Sequence, residues 1–149
     1  MNNVEQFWLD FLKSHKMSED TRYSGELSFE TTDPASVEEL ALILGGKKKA
    51  ATSALAAFEL DNEKLPAAGN FYVLTDWNNN PKGVIQTTGV FVLPFDAVTW
   101  EMAQKEGEDN SIEEWRERYN DFFDFDSSIM GYDFTPSMPV VFEEFVFMK

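Results

Sequence analysis

Apolar residues recur at helical spacing in residues 4–13. Val4, Phe7, Trp8, Phe11 and Leu12 fall at i, i+3, i+4, i+7 and i+8 and predict an amphipathic helix. Asn3 and Gln6 resemble a capping pair at its start. Residues 22–32 alternate apolar and polar through Tyr23, Gly25, Leu27 and Phe29, the pattern of a half-buried strand. Asp33-Pro34 opens a second helix with Val37, Leu40, Ala41 and Leu44 as its stripe and Gly45-Gly46 as its stop. Ser36 and Glu39 have the spacing of a capping box there.

Beyond the lysine run, residues 54–59 predict a short Ala-rich helix ending in Asp61-Asn62-Glu63, and Leu65-Pro66 closes a turn. Residues 71–75 read as a strand, and Asn78-Asn79-Asn80-Pro81 as a loop with turn chemistry. Residues 83–93 form a long β run in which Gly89 marks a bulge or bend. A helical stretch is expected over residues 95–103. Ser111 then caps a helix carrying Ile112, Trp115, Tyr119, Phe122 and Phe123 on one face, and residues 139–148 read as a closing strand. The order lacks repeated βαβ units. It predicts an α+β fold, a mostly antiparallel curled sheet decorated by helices, with a small barrel as its natural closure.

Length adds that 149 residues fit one domain spanning residues 1–149. Composition adds that 43% hydrophobic and 15% aromatic residues support a real core. With no Cys and one His, His15, disulfides, thiolate metal sites, cysteine nucleophiles and multi-histidine sites are excluded. No apolar run reaches the roughly 20 residues of a membrane span. Met1-Asn2-Asn3-Val4-Glu5 lacks the basic and apolar regions of a signal peptide, so a cytoplasmic protein is expected.

Net charge is −15, and residues 101–149 hold 13 acids against 4 bases. Affinity for long nucleic acids comes largely from neutralising phosphates, which this chain cannot do over a broad face. Sequence-specific DNA binding is not expected. The one concentrated positive spot is Lys47-Lys48-Lys49, preceded by Gly45-Gly46 and followed closely by Thr52-Ser53. Glycines let the backbone approach a ligand, ammonium groups hold anions, and a lysine beside a hydroxyl can activate a nucleophile. The same residues also suit an ordinary helix C-cap followed by solvated lysines. The motif is not a P-loop, whose spacing differs. In Glu106-Gly107-Glu108-Asp109-Asn110-Ser111, Glu108 or Asp109 could serve as a base, or simply complement a helix dipole. Tyr72 and Trp77 are candidate stacking platforms, with Trp77 the tryptophan best placed to be exposed, and Asp76 faces a pocket or closes a turn.

In order, these stretches resemble the ASCH domain family of the PUA-like superfold. The resemblance runs from Phe7-Trp8 and Phe11-Leu12 through Glu38-Glu39-Leu40-Ala41, Gly46-Lys47-Lys48-Lys49-Ala50-Ala51-Thr52-Ser53 and Val84-Ile85-Gln86-Thr87-Thr88-Gly89-Val90. It ends in Glu106-Gly107-Glu108-Asp109-Asn110-Ser111, Glu113-Glu114-Trp115-Arg116 and Pro139-Val140-Val141-Phe142-Glu143-Glu144-Phe145. The resemblance implies a PUA-like small mixed or antiparallel β-barrel with a cleft beside the Gly-x-Lys loop. It implies RNA or a nucleoside or nucleotide as ligand. Candidate contacts read from the residues themselves are Gly46, Lys47, Ser53, Tyr72, Asp76 and Trp77, and no cofactor is expected. Some small members resemble amidohydrolases acting on N4-acetylcytidine, and others ribonucleases. In the amidohydrolase pattern a Lys acts as base, a Thr three residues later as nucleophile, and a Glu handles water. Counted from Gly46, the lysine is Lys48 and the threonine position is Ala51; Thr52 fits only with Lys49 as the lysine. Glu108 matches without a shift. A non-catalytic binding or regulatory module is the alternative.

Overall fold

The computed structural model describes residues 2–30 and 32–149; Met1 and Thr31, the latter within the strand expected at residues 22–32, lie outside them. Helix α1 spans Asn3–Ser14, with Asn2 rather than Asn3 as its cap, accepting the Glu5 N–H at 2.8 Å. Val4, Trp8, Phe11 and Leu12 form its buried face. Strand β1 is shorter than the alternation suggests, Gly25–Phe29. Helix α2, Pro34–Leu44, is capped by Asp33, whose carboxylate accepts the Ala35 N–H at 3.1 Å. That displaces the expected Ser36–Glu39 capping box, because Ser36 Oγ accepts the Glu30 N–H instead.

The residues directly after the lysines form a strand, β2, Ala50–Ala54, that periodicity did not announce; five small residues carry no apolar alternation. Helix α3, Leu55–Leu60, follows it, then β3, Phe71–Asp76, and β4, Pro81–Pro94. The helix expected over residues 95–103 is broken into a 3₁₀ turn at Phe95–Ala97, a short α4 at Trp100–Ala103 and a second 3₁₀ turn at Gln104–Glu106. Helix α5, Ile112–Met130, starts at Ser111, whose hydroxyl accepts the Glu114 N–H, and β5, Pro139–Met148, closes the chain.

The five strands form one curled sheet in the order β1-β3-β4-β5-β2, antiparallel except for the β1–β3 pair. Register shifts between Thr87 and Gly89, a bulge where the glycine predicted one. Side chains alternate across β5, so Val140 meets the cluster built on Trp115, Tyr119 and Phe123 of α5, whereas Phe145 meets Ile43 of α2 on the opposite face. Trp8 and Phe11 of α1 cover Val73 and Val84. Each such aromatic contributes roughly 1.5–3 kcal/mol by burial. Phe122, expected on the inner face of α5, is instead 48% exposed, one residue round the helix from the wholly buried Phe123. Among the described residues no helix is long and apolar enough to cross a membrane.

Candidate functional site

Two loops meet at the β2 edge of the sheet. The end of α2 folds back on itself, the Leu42 carbonyl accepting both the Lys47 and Lys48 N–H groups, with Gly46 at a left-handed φ of +75°. The Lys49 N–H then donates to the Lys105 carbonyl at 2.8 Å, joining the lysine run to the second 3₁₀ turn. Gly107 follows that turn at φ +72°, close against the backbone of Lys47. These joints place the Lys48 side chain beside Glu106 and Glu108.

Glu106 is the centre of the cluster and is completely buried. Its Oε2 accepts the Thr52 hydroxyl at 2.8 Å and Trp115 Nε1 at 3.0 Å; its Oε1 accepts the Tyr119 hydroxyl at 2.5 Å. Arg118 Nη2 stands at 3.4 Å and Lys48 Nζ at 3.6 Å from Oε1. A buried carboxylate persists only when such donors replace its water. Tyr119 completes the link, because its oxygen also accepts the Thr52 backbone N–H at 3.3 Å. Burial, with Glu106 beside it, pushes the Tyr119 phenol well above its ordinary range and keeps it a donor.

Lys48 is 3% exposed, and its ammonium donates to Glu108 Oε2 at 2.6 Å. Glu108 has a fifth of its side chain exposed, and its second oxygen bonds to no described residue, so it is the reactive-looking carboxylate of the pair. Arg118 binds Asp109 through Nε and Nη2 and lies over the Tyr119 ring at 4.6 Å. Burial alone would lower the guanidinium pKa, but Asp109 and the neighbouring acids raise it further than burial lowers it. An open hollow of about 380 Å³ adjoins the cluster, lined by Glu108, Asp109, Asn110, Glu114, Glu117, Arg118 and Asp121.

Of the residues proposed from sequence, the fold brings together Lys48, Thr52 and Glu108, the first two through Glu106. Lys47 and Lys49 are exposed, whereas Lys48 is buried. Thr52 and Ser53 point to opposite faces of β2, so Ser53 turns away from Glu106. Asp76, Trp77 and Tyr72 make no hydrogen bond or ion pair to the cluster among the described residues. Asp76 accepts the Asn78 and Asn80 N–H groups and the Asn80 amide, closing the β3–β4 turn; those bonds hold its pKa below the ordinary aspartate value. Trp77 is 66% exposed at that turn. Tyr72 packs against the α2-side core, its hydroxyl accepting the Asn70 side-chain amide at 3.5 Å.

The sequence does not single out Glu106, Arg118 or Tyr119, and it assigns Trp115 to the apolar face of the helix. Glu106 sat in an acidic run that resembles an ordinary helix start, and the aromatics sat on a stripe that reads as core. A signal was present in α5: Trp115, Arg118 and Tyr119 share one face at i, i+3 and i+4, which places a cation and two polar-tipped aromatics together.

Comparison with known proteins follows the same outline. A family model described as ASCH domain matches residues 27–149. A crystal structure of a protein from Enterococcus faecalis V583, of the family DUF984, superposes with TM-score 0.82 at 28% identity, covering 98% of this chain and 88% of that one. A crystal structure of an ASCH domain from Lactobacillus crispatus JV V101 superposes with TM-score 0.81 at 27% identity, covering 99% and 95%. A hypothetical protein at 21% identity and TM-score 0.51 shares the fold over 83% of this chain and 98% of its own. No curated protein matches the chain.

Proposed function

The chain belongs to the ASCH domain family, and on that premise we propose that it binds a modified nucleoside over the Lys48–Glu108 pair and hydrolyses the amide of an N4-acylated cytidine. The observation that carries this reading is the 2.6 Å contact between Lys48 Nζ and Glu108 Oε2, with Glu108 partly open to the hollow. A cation and a carboxylate with a free oxygen supply the two things amide hydrolysis needs, polarisation of a carbonyl and acceptance of a proton from water.

The residues divide the work as follows. Glu108 takes a proton from a water molecule as the water oxygen bonds to the acyl carbon. The Arg118 guanidinium, which lines the hollow beside Glu108, holds the carbonyl oxygen as it becomes negative, while the buried Lys48 ammonium fixes Glu108 from behind. The C–N bond then breaks, the proton passes from Glu108 to N4, and cytidine and the carboxylic acid leave. Glu106 is engaged by donors on both oxygens, so it positions Lys48 and Thr52. Thr52 is 6% exposed with its hydroxyl committed to Glu106, which favours a positioning role over that of nucleophile.

The size and sign of the surroundings favour a nucleoside over a long RNA. A volume of about 380 Å³ lies at the low end for small-molecule sites, and five carboxylates among its seven lining residues repel phosphates. Incubation with N4-acetylcytidine, followed by chromatographic assay for cytidine, tests the reading. Release by the wild type and its loss in Glu108→Gln are expected. Binding without release leaves the non-catalytic reading, and cleavage of RNA without nucleoside hydrolysis makes the chain a ribonuclease.

A further inference from the structure

The candidate site uses the inner face of α5, and the adjoining face of the same helix is left uncovered. Phe122, Phe125 and Ile129 stand at i, i+3 and i+7 on one side of the helix and are 48%, 67% and 66% exposed. Trp115 and Phe123 of the same helix are wholly buried, so the exposure belongs to this face and not to α5 as a whole. The stripe joins the body at one end, where the Phe122 ring meets Tyr119 at 6.1 Å and Phe123 at 5.3 Å, both edge-on. Phe125 and Ile129 belong to none of the core clusters among the described residues. A single exposed apolar residue is ordinary. Three bulky ones along one helix face mark a surface that another molecule covers.

Charge decides which molecule. On the helix surface the exposed Asp121 and Asp124 border the stripe on one side, and Asp126, which accepts the Tyr132 hydroxyl at 2.7 Å, borders it on the other. From Tyr119 to Met148 the chain has six acids and no Lys or Arg. That sign rejects phosphate-bearing occupants, RNA and anionic lipid alike. It also disfavours a second copy, because a two-fold contact sets the same carboxylates against one another. A cationic protein segment with apolar anchors meets both features at once. We propose that α5 docks a basic amphipathic helix of a partner protein, with its apolar residues on Phe122, Phe125 and Ile129 and its lysines or arginines on Asp121 and Asp124. Arg118 lies one turn before Phe122, and Asp121 lines the hollow, so the docked helix borders the mouth of the candidate site. The inference does not depend on the nucleoside reading.

The probe is a fluorescent synthetic peptide of about 18 residues, built from Leu and Lys with Leu at i, i+3, i+4 and i+7. Its control is a scrambled peptide of the same composition, which keeps the charge and loses the apolar face. Anisotropy titration of the full chain should show the patterned peptide binding at least about tenfold tighter than the scrambled one. Phe125→Ser combined with Ile129→Ser should remove about a tenfold share of that affinity, and Asp124→Lys should weaken it too. These side chains are exposed, so the variants should melt near the wild-type temperature. Raising salt should weaken binding, as contacts between exposed charges require. Amide shift changes on adding the peptide should centre on α5. Equal affinity for the two peptides, affinity unchanged in the Phe125→Ser, Ile129→Ser variant, or shift changes centred elsewhere overturns the proposal. So does a dimer in sedimentation, or binding to phosphatidylglycerol vesicles or RNA, that the same variant abolishes, because the stripe then has a different occupant.

Discussion

Gly107 approaches Lys47 so closely that a Cβ on it would stand 2.6 Å from the Lys47 carbonyl oxygen, nearer than side chains tolerate. The glycine separates Glu106 from Glu108, and the residue it touches precedes Lys48. The approach of the two backbones and the 2.6 Å Lys48–Glu108 ion pair are one arrangement.

Gly107→Ala should therefore damage the site as well as the fold. The new methyl meets fixed backbone, and φ of +72° disfavours any side chain there. We expect a loss of about 1–3 kcal/mol in chemical denaturation, together with weaker cytidine binding as the two loops part. Unchanged stability with unchanged binding would show that the loops can separate freely.

The three lysines should behave very differently. Lys48→Met leaves Glu106 buried with fewer donors, and breaking a buried pair costs about 3–5 kcal/mol. Because Glu108 is partly exposed, the lower end of that range is expected. Lys47→Ala and Lys49→Ala remove exposed charges and should stay within about 0.5 kcal/mol. Thermal melts of the three variants at one pH and salt concentration check the contrast.

Thr52→Val keeps shape but removes the hydroxyl that Glu106 accepts at 2.8 Å. A cost of about 1–3 kcal/mol follows from a buried acceptor losing a donor. If Thr52 only positions Glu106, hydrolysis of N4-acetylcytidine should persist at about a tenth of the wild-type rate. Complete loss in a folded variant, with an acylated Thr52 in the wild type by mass spectrometry, would make Thr52 the nucleophile.

Two carboxyls away from the cluster give stability opposite pH dependences. Burial raises the folded pKa of Glu143, although the Thr87 bond opposes it, so the fold keeps a proton that the unfolded chain releases. Its contribution is present below the ordinary glutamate value and is lost as pH rises through the raised one. Glu143→Gln should gain on the wild type as pH climbs through that window. Asp76 has a lowered pKa, so its contribution is present above the ordinary aspartate value and is lost as pH falls through the lowered one. Asp76→Asn should flatten the acid limb. Melting temperatures across pH 3–8 read both slopes.

Much of the architecture was legible because local chemistry and tertiary structure agreed. The strand at Pro139–Met148, the Ser111 cap and the Gly89 bulge follow from alternation, side-chain capping and glycine's freedom. The β2 strand was not legible, because Ala50, Ala51, Thr52, Ser53 and Ala54 become a strand by pairing with β5 from residue 140 to residue 144. The Ser36–Glu39 box misled because Asp33 stands three residues earlier and caps the helix first. The site divides in the same way. Lys48, Thr52 and Glu108 were within reach of motif spacing, but Glu106 looked like its acidic neighbours until burial set it apart.

By itself the sequence determined an acidic α+β chain whose single basic run adjoins hydroxyls and whose carboxylates cluster ahead of a capped helix. Those features depend on composition and on residues a few positions apart. Tertiary structure alone decided which lysine turns inward and which carboxylate is sealed at the centre. Those outcomes depend on contacts between residues about 10 to 70 positions apart in the chain, where burial and charge act through space and local periodicity carries no information.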